Sequence, residues 1–207
     1  FAIMREVLRC VRDRGGAGRG RLRFIRVASG RMESREFEQL EGAFGAPAIT
    51  GLGTTETGIV LHQRLPPAPR RPGSVGDPVA SEIRIVGSDG RAAAPGDVGE
   101  LLVRGPQVFD GYVDDPALNA AAFADGWFRT GDLGRRDASG DVHLIGRATE
   151  IINRGGEKLA PLQIDAVLRA IPGVSDAAAF GIPHPRLGQE VVAAIVRDPG
   201  VPLTEAE

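Results

Sequence analysis

Cysteine is almost missing from this chain: Cys10 is the only one in 207 residues. An intrachain disulfide is therefore excluded, and a reducing compartment, the cytoplasm, is the expected setting. Histidine is scarce as well. His62, His143 and His184 show no metal-ligand spacing, so no zinc site is expected. Long apolar runs are lacking, and with them any helical membrane span or signal-peptide core. Charge of one sign is not in excess either. The 25 Lys and Arg set against 27 Asp and Glu leave a formal net charge of -2, which argues against whole-chain attraction to nucleic acid. What is present is 42% hydrophobic residues at a mean hydropathy of -0.08, enough to bury a core in one or two domains.

Periodicity divides the chain into three stretches. Ile3, Met4, Val7, Leu8 and Val11 read as one face of a helix, and residues 24–27 as a short strand running into a turn at 28–31. Phe37, Leu40 and Phe44 mark a second helix closed by Gly45 and Pro47, and residues 48–53 the next strand with its exit loop. That order predicts an α/β layer over residues 1–64. A Pro-rich stretch, 65–72, then leads into a β-rich unit over 65–149, with strands at 83–86, 100–103 and 142–145 separated by Asp-Gly and Ser-Gly turns. From residue 150 the pattern becomes α+β, with a helix over 162–171 and strands near 177–180 and 191–196. The Arg- and Gly-rich residues 12–21 have no interleaved aromatics and join a helix to a strand, so a solvated loop is expected there rather than an RNA-binding arm. The chain starts on Phe1 inside a helical pattern and ends just after Thr204, which resembles an N-cap without a helix body. It is expected to be a piece of a longer protein.

Residues 146–161 do not follow any packing period. Arg147, Glu150, Asn153, Arg154, Gly155, Gly156, Glu157 and Lys158 combine fixed charge with backbone freedom, which suits a hinge leading into a loop that approaches a ligand. Three other motifs precede this one: Gly51 to Glu56 (Gly-Leu-Gly-Thr-Thr-Glu); Gly99, Glu100 and Leu101 continuing to Gly105, Gly111 and Tyr112; and Trp127 to Leu133, containing Thr130, Gly131 and Asp132. Each is common by chance. In this order, over nearly the whole chain, the four resemble the adenylate-forming ligase superfamily, which includes acyl-CoA synthetases, luciferases and peptide-synthetase adenylation domains. Residues 152–158, with 180–185 and Gly188, Gln189 and Glu190, are similar to CoA ligases, especially the plant and fungal oxalyl-CoA synthetase-like branch.

The resemblance implies the C-terminal part of such a ligase: the end of an α/β subdomain, a β-rich barrel-like subdomain and a small mobile α+β domain. It implies a carboxylic acid, ATP, Mg²⁺ and CoA as the reacting set. The carboxylate attacks the α-phosphate to give an acyl-adenylate and pyrophosphate, and a thiol then displaces AMP. Such chemistry calls for positioned cations, hydroxyl donors and a metal. Carried over by motif, Thr55 contacts phosphate and Glu56 binds Mg²⁺, while Gly51, Leu52, Gly53 and Thr54, with Ser29, Gly30, Arg31 and Leu144, line the nucleotide. Asp132 accepts from both ribose hydroxyls, and Arg147 contacts ribose and phosphate. Glu150 is the hinge, and Gly155, Gly156 and Glu157 face CoA.

Each assignment has a plain structural counterpart. Thr55 and Glu56 could cap a helix, Asp132 could end a strand, and Arg147 could pair with Glu150. Gly155 and Gly156 could form a simple β-turn, and Lys158 could face solvent. Three positions depart from the family pattern. Leu52 replaces an aromatic that stacks on adenine, Arg31 replaces a small residue, and Ile59 stands where oxalyl-type relatives carry a His, which favours a less polar acid over a dicarboxylate. The family's phosphate loop and its catalytic lysine find no match here, so the chain alone is expected to be a poor catalyst. Loading of a carrier-protein thiol, and a non-catalytic nucleotide-binding remnant, are the alternatives. In the complete enzyme that the resemblance implies, Glu150→Pro should spare adenylation and cripple thioester formation. Pre-steady-state measurement of both half-reactions checks this, and equal loss of the two would contradict it.

Overall fold

The structure, a computed structural model, describes residues 2–15, 22–28, 34–71 and 73–201. The expected site residues Ser29, Gly30 and Arg31 and the Thr204 cap lie outside the described residues. The chain divides into two compact units, Phe1–Thr130 with Gly134–Leu144, and Gly131–Leu133 with Ile145–Glu207.

In the first unit, helical spacing places Met4 and Leu8 of α1 (Ala2–Asp13) in one apolar cluster with Phe37, Leu40 and Phe44 of α2 (Ser34–Phe44) and with Ile25 and Val27 of β1 (Ile25–Val27). Strand β2 (Ala48–Thr54) lies parallel to β1, with Ile25 opposite Ala48. Antiparallel β3 (Gly58–His62) and β4 (Asp77–Pro78) complete the order β1-β2-β3-β4. The expected α/β layer is thus present, with one correction: Gly51 and Gly53 belong to the strand, not to an exit loop. Pairing with β3 overrides the weak strand preference of glycine. Behind this sheet a buried polar network joins distant segments. Gln63 Oε1 accepts from the Thr50 N–H (3.1 Å), Gln63 Nε2 donates to the carbonyls of Arg71 (2.6 Å) and Ser74 (3.1 Å), and Thr50 Oγ1 donates to Ser74 O (3.0 Å). With its polar groups satisfied, the network holds the residues after the Pro-rich stretch against β2.

A second sheet contains β5 (Glu82–Val86), β6 (Gly99–Arg104), β7 (Phe123–Ala124), β8 (Trp127–Arg136) and β9 (Val142–Arg147), in the order β5-β6-β8-β7 with β9 paired to β8. Ile85, Leu101, Val103 and Val142 form its core together with Val60 and Leu61 of β3. The strands expected at 83–86, 100–103 and 142–145 are all there. Strand β8 was not legible, because Gly131, Asp132 and Gly134 interrupt its apolar alternation. Helix α3 (Pro116–Ala122) was also missed, although its start follows the rules: the Asp115 carboxylate caps the Leu118 N–H at 2.8 Å and Pro116 takes the first turn.

The second unit has its own sheet. Strands β10 (Ile152–Arg154), β11 (Glu157–Leu159), β12 (Val174–His184) and β13 (Gly188–Arg197) run in the order β11-β10-β13-β12, and α4 (Pro161–Arg169) packs on β12. Buried Asp165 of α4 accepts the Ala179 N–H at 2.6 Å, which fixes helix to strand. The expected helix and both expected strands are found here, the strands longer than their apolar centres suggested. Among the described residues no helix is long and apolar enough to cross a membrane.

The turn between β8 and β9 carries a titratable knot. Asp137 Oδ1 accepts the N–H groups of Ser139 (2.9 Å) and Asp141 (3.1 Å), and its Oδ2 lies 2.8 Å from His143 Nε2. The His143 hydrogen bond, helped by the backbone donors and opposed by burial, draws the Asp137 carboxyl from 3.8 down to about 2. A depressed folded-state value means stabilisation that is complete above the unfolded value and lost as pH falls through about 2. Asp137→Asn is expected to cost about 1–2 kcal/mol at pH 7. Denaturant unfolding of both proteins should show that gap narrowing between pH 4 and pH 2.

Candidate functional site

Strands β2 and β3 approach unusually closely at their turn. Their register shifts between Leu52 and Gly53, so that Gly53 faces Ile59 and Thr54 faces Gly58. A Cβ on Gly53 would stand 2.2 Å from the Gly58 carbonyl oxygen, so only glycine permits this crossing. Fully buried Thr57 locks the turn: its Oγ1 accepts the Thr54 N–H at 3.2 Å, lies 3.2 Å from Thr54 Oγ1 and donates to Gly58 O at 3.0 Å. Thr55 is thereby exposed at the tip, with Glu56 half-buried beside it. The helix-cap account of this pair fails, because residues 55–57 turn straight into β3. Leu52 packs against the Val60 and Leu61 core, and Leu144 is half-buried on β9.

A second loop holds Glu56. The Tyr112 hydroxyl donates to Glu56 Oε1 at 3.1 Å, and the Phe109 N–H donates to Glu56 O at 2.8 Å. Asn119 of α3 grips the Tyr112 backbone in both directions, accepting its N–H at 2.7 Å and donating to its carbonyl at 2.9 Å. Burial, and then Glu56 itself, raise the Tyr112 pKa, so the phenol remains a donor at neutral pH. Nothing in the sequence pattern singles out Thr57 or Asn119. The Gly111-Tyr112 pair was the one available signal.

The remaining site residues gather in the second unit. Asp132 sits within β8 at 4% exposure, not at a strand end, and its Oδ1 is 3.0 Å from Nε of exposed Arg147. A buried carboxylate needs such a partner, and the open side of Arg147 leaves the pair accessible. Glu150 is exposed and ends a single 3-10 turn (Ala148–Glu150). Gly155 and Gly156 form the two-residue link between β10 and β11, at φ +61° and +95°. Both are left-handed, as a type I′ hairpin requires, which explains the paired glycines from the backbone alone. The hairpin is fastened to β13 and to the turn before it. Gly155 N–H donates to Leu187 O (2.8 Å), Asn153 N–H to Gln189 Oε1 (2.6 Å), and Arg154 pairs with Glu190 through Nε–Oε1 (2.6 Å) and Nη2–Oε2 (3.2 Å). Arg154 is the main reason the Glu190 carboxyl titrates below its ordinary value. Glu157 and Lys158 are exposed. Among the described residues no group of three or more His, Cys, Asp or Glu side chains could hold a metal, so Glu56 supplies a single carboxylate.

The sequence matches the family model described as AMP-binding enzyme over residues 2–113, more than half of the chain, and that of the AMP-binding enzyme C-terminal domain over residues 163–207. The chain belongs to the AMP-binding enzyme family. Its relatives include the oxalate–CoA ligase of Arabidopsis thaliana, 43% identical over 189 residues that make up 90% of this chain and 37% of that protein. The sulfoacetate–CoA ligase of Cupriavidus necator is 43% identical over 89% of this chain and 36% of its own length. Among solved structures, ATP-bound MatB from Rhodopseudomonas palustris superposes with a TM-score of 0.83 at 33% identity, covering 89% of this chain and 37% of that one. The chain therefore spans little more than a third of these AMP-binding enzymes. The resemblance to adenylate-forming ligases, and to their oxalyl-CoA synthetase-like branch, holds.

Gly53→Ala puts a Cβ against the backbone of β3 at this turn. It should force β2 and β3 apart and destabilise the chain by about 1–3 kcal/mol. Hydrogen exchange should show faster opening of the amides of Thr54 and Thr57 than of the α2 core.

Proposed function

We propose that this chain works within an ATP-dependent carboxylate–CoA ligase that forms an acyl-adenylate and then an acyl-CoA thioester. The observation that carries the reading is the Asp132–Arg147 pair: a buried carboxylate held at 3.0 Å by a guanidinium that is itself open to solvent. A carboxylate can accept from two vicinal ribose hydroxyls at once, and a planar cationic fork beside it suits a phosphate. Thr55 would donate its hydroxyl to a phosphate oxygen. Glu56 would hold the Mg²⁺ of a metal–nucleotide complex, an ion that usually takes one or two carboxylates plus phosphate oxygens and that offsets phosphate charge. A single carboxylate is consistent with a metal that arrives with its nucleotide.

In the first half-reaction the substrate carboxylate oxygen bonds to the α-phosphorus, and the bond to the bridging oxygen breaks, releasing pyrophosphate. In the second, the thiol sulfur bonds to the acyl carbon, AMP leaves, and the thiol proton passes to solvent. Gly155 and Gly156 would leave the hairpin tip free of side chains for the pantetheine arm, and Glu150 would absorb the change of torsion between the two steps. Half-exposed Ile59, on β3, favours an acid of low polarity.

Calorimetric titration with a non-hydrolysable acyl-adenylate analogue tests the reading. Loss of a hydrogen-bonding carboxylate charge in Asp132→Asn should weaken binding about tenfold or more. An analogue with an apolar acyl group should bind more tightly than an oxalyl one. No heat of binding from a folded parent chain would overturn the reading.

A further inference from the structure

The residues that hold Glu56 have no role in the reading above, yet they form one continuous relay. Asn119, on the α3 helix that Asp115 caps, fixes the backbone of Tyr112 through two hydrogen bonds of 2.7 and 2.9 Å. The Tyr112 ring is braced edge-on by Phe109, with centroids 4.8 Å apart, and Phe109 in turn packs against Phe123 at a tilt and against Phe128 edge-on. The Tyr112 hydroxyl then donates to Glu56 Oε1 at 3.1 Å. The same loop meets the hairpin turn at two backbone points: the Phe109 N–H donates to Glu56 O (2.8 Å), and Gln107 Nε2 donates to Ile59 O (2.5 Å).

We propose that Tyr112 and Asn119 are positioning residues that hold the Glu56 carboxylate in the one orientation in which it receives a metal–nucleotide complex. The proposal rests on the assignment of Glu56 to the metal. A glutamate side chain has three free torsions, and ordering them on binding costs free energy that a pre-formed hydrogen bond removes. Gly111, at φ +144°, brings the chain close enough to Asn119 that a Cβ there would stand 2.8 Å from its Oδ1, so the grip on Tyr112 depends on the Gly111-Tyr112 pair as a unit.

Two measurements test it in the intact chain. The first needs no ligand. Three-bond Hα–Hβ couplings of Glu56 should report one rotamer in the parent and averaged rotamers in Tyr112→Phe, which keeps the ring packing, and in Asn119→Ala. Unchanged couplings in Tyr112→Phe would overturn the proposal. The second is calorimetric titration with a non-hydrolysable ATP analogue, with Mg²⁺ and with EDTA. Tyr112→Phe should lower the Mg²⁺-dependent gain in affinity roughly three- to tenfold and leave binding in EDTA unchanged. Glu56→Gln should abolish that gain. If Glu56→Gln abolishes it and Tyr112→Phe does not change it, the positioning role is wrong and the metal assignment survives. If Glu56→Gln leaves the gain intact, the assignment itself fails and the positioning role fails with it. Should the parent bind no nucleotide, the assignment fails and the couplings alone decide whether Tyr112 orders Glu56.

Discussion

Backbone contact between β2 and β3 at Gly53 and Gly58 is the constraint on which the first unit's candidate site depends. At that separation no side chain fits on Gly53, and the register has to shift by one residue. The shift produces the tight turn, and the turn buries the Thr57 hydroxyl where it can bind both arms. Thr55 is exposed at the tip as a result, with Glu56 half-buried beside it. Their placement follows from a backbone approach.

The second unit solves a different problem, that of keeping charge buried or half-buried without leaving it uncompensated. Asp132 faces Arg147, Glu190 faces Arg154, and Asp165 takes a strand N–H as its partner. In the first and second cases the cation is the more exposed member. Such pairs contribute little net stability, since desolvation offsets most of the attraction. They do fix orientation. The Arg154–Glu190 fork and the Gly155 N–H bond hold the β10–β11 hairpin on β13 whatever the tip residues touch.

Membership of the AMP-binding enzymes was legible because its motifs are local runs of unusual residue types, and Gly155 with Gly156 could be read as a point of backbone freedom. The helices at α1, α2 and α4 and the apolar strands β5, β6 and β9 were legible for the ordinary reason, hydrophobic period. Strand β8 escaped because its glycines and Asp132 break the alternation, and it is held by neighbours on both sides rather than by its own composition. The strand at 48–53 was read from the sequence, and only the exit loop placed within it was wrong.

The sequence by itself determined the residue types of the candidate site, the family, the turn at Gly155 and Gly156, and the apolar faces of α1 and α2. These rest on backbone sterics and on periods of 2 and 3.6 residues, which act within a few positions of the chain. Only the tertiary structure decided that Tyr112 meets Glu56 across 56 positions, that Asp132 rather than Glu150 lies against Arg147 Nε, and that Thr57 is a buried hub instead of a surface hydroxyl. Each of these depends on which strands pair and in what register: a shift of one residue in β8 would turn Asp132 to the opposite face, and a different register of β2 on β3 would remake the turn that holds Glu56 and Thr57.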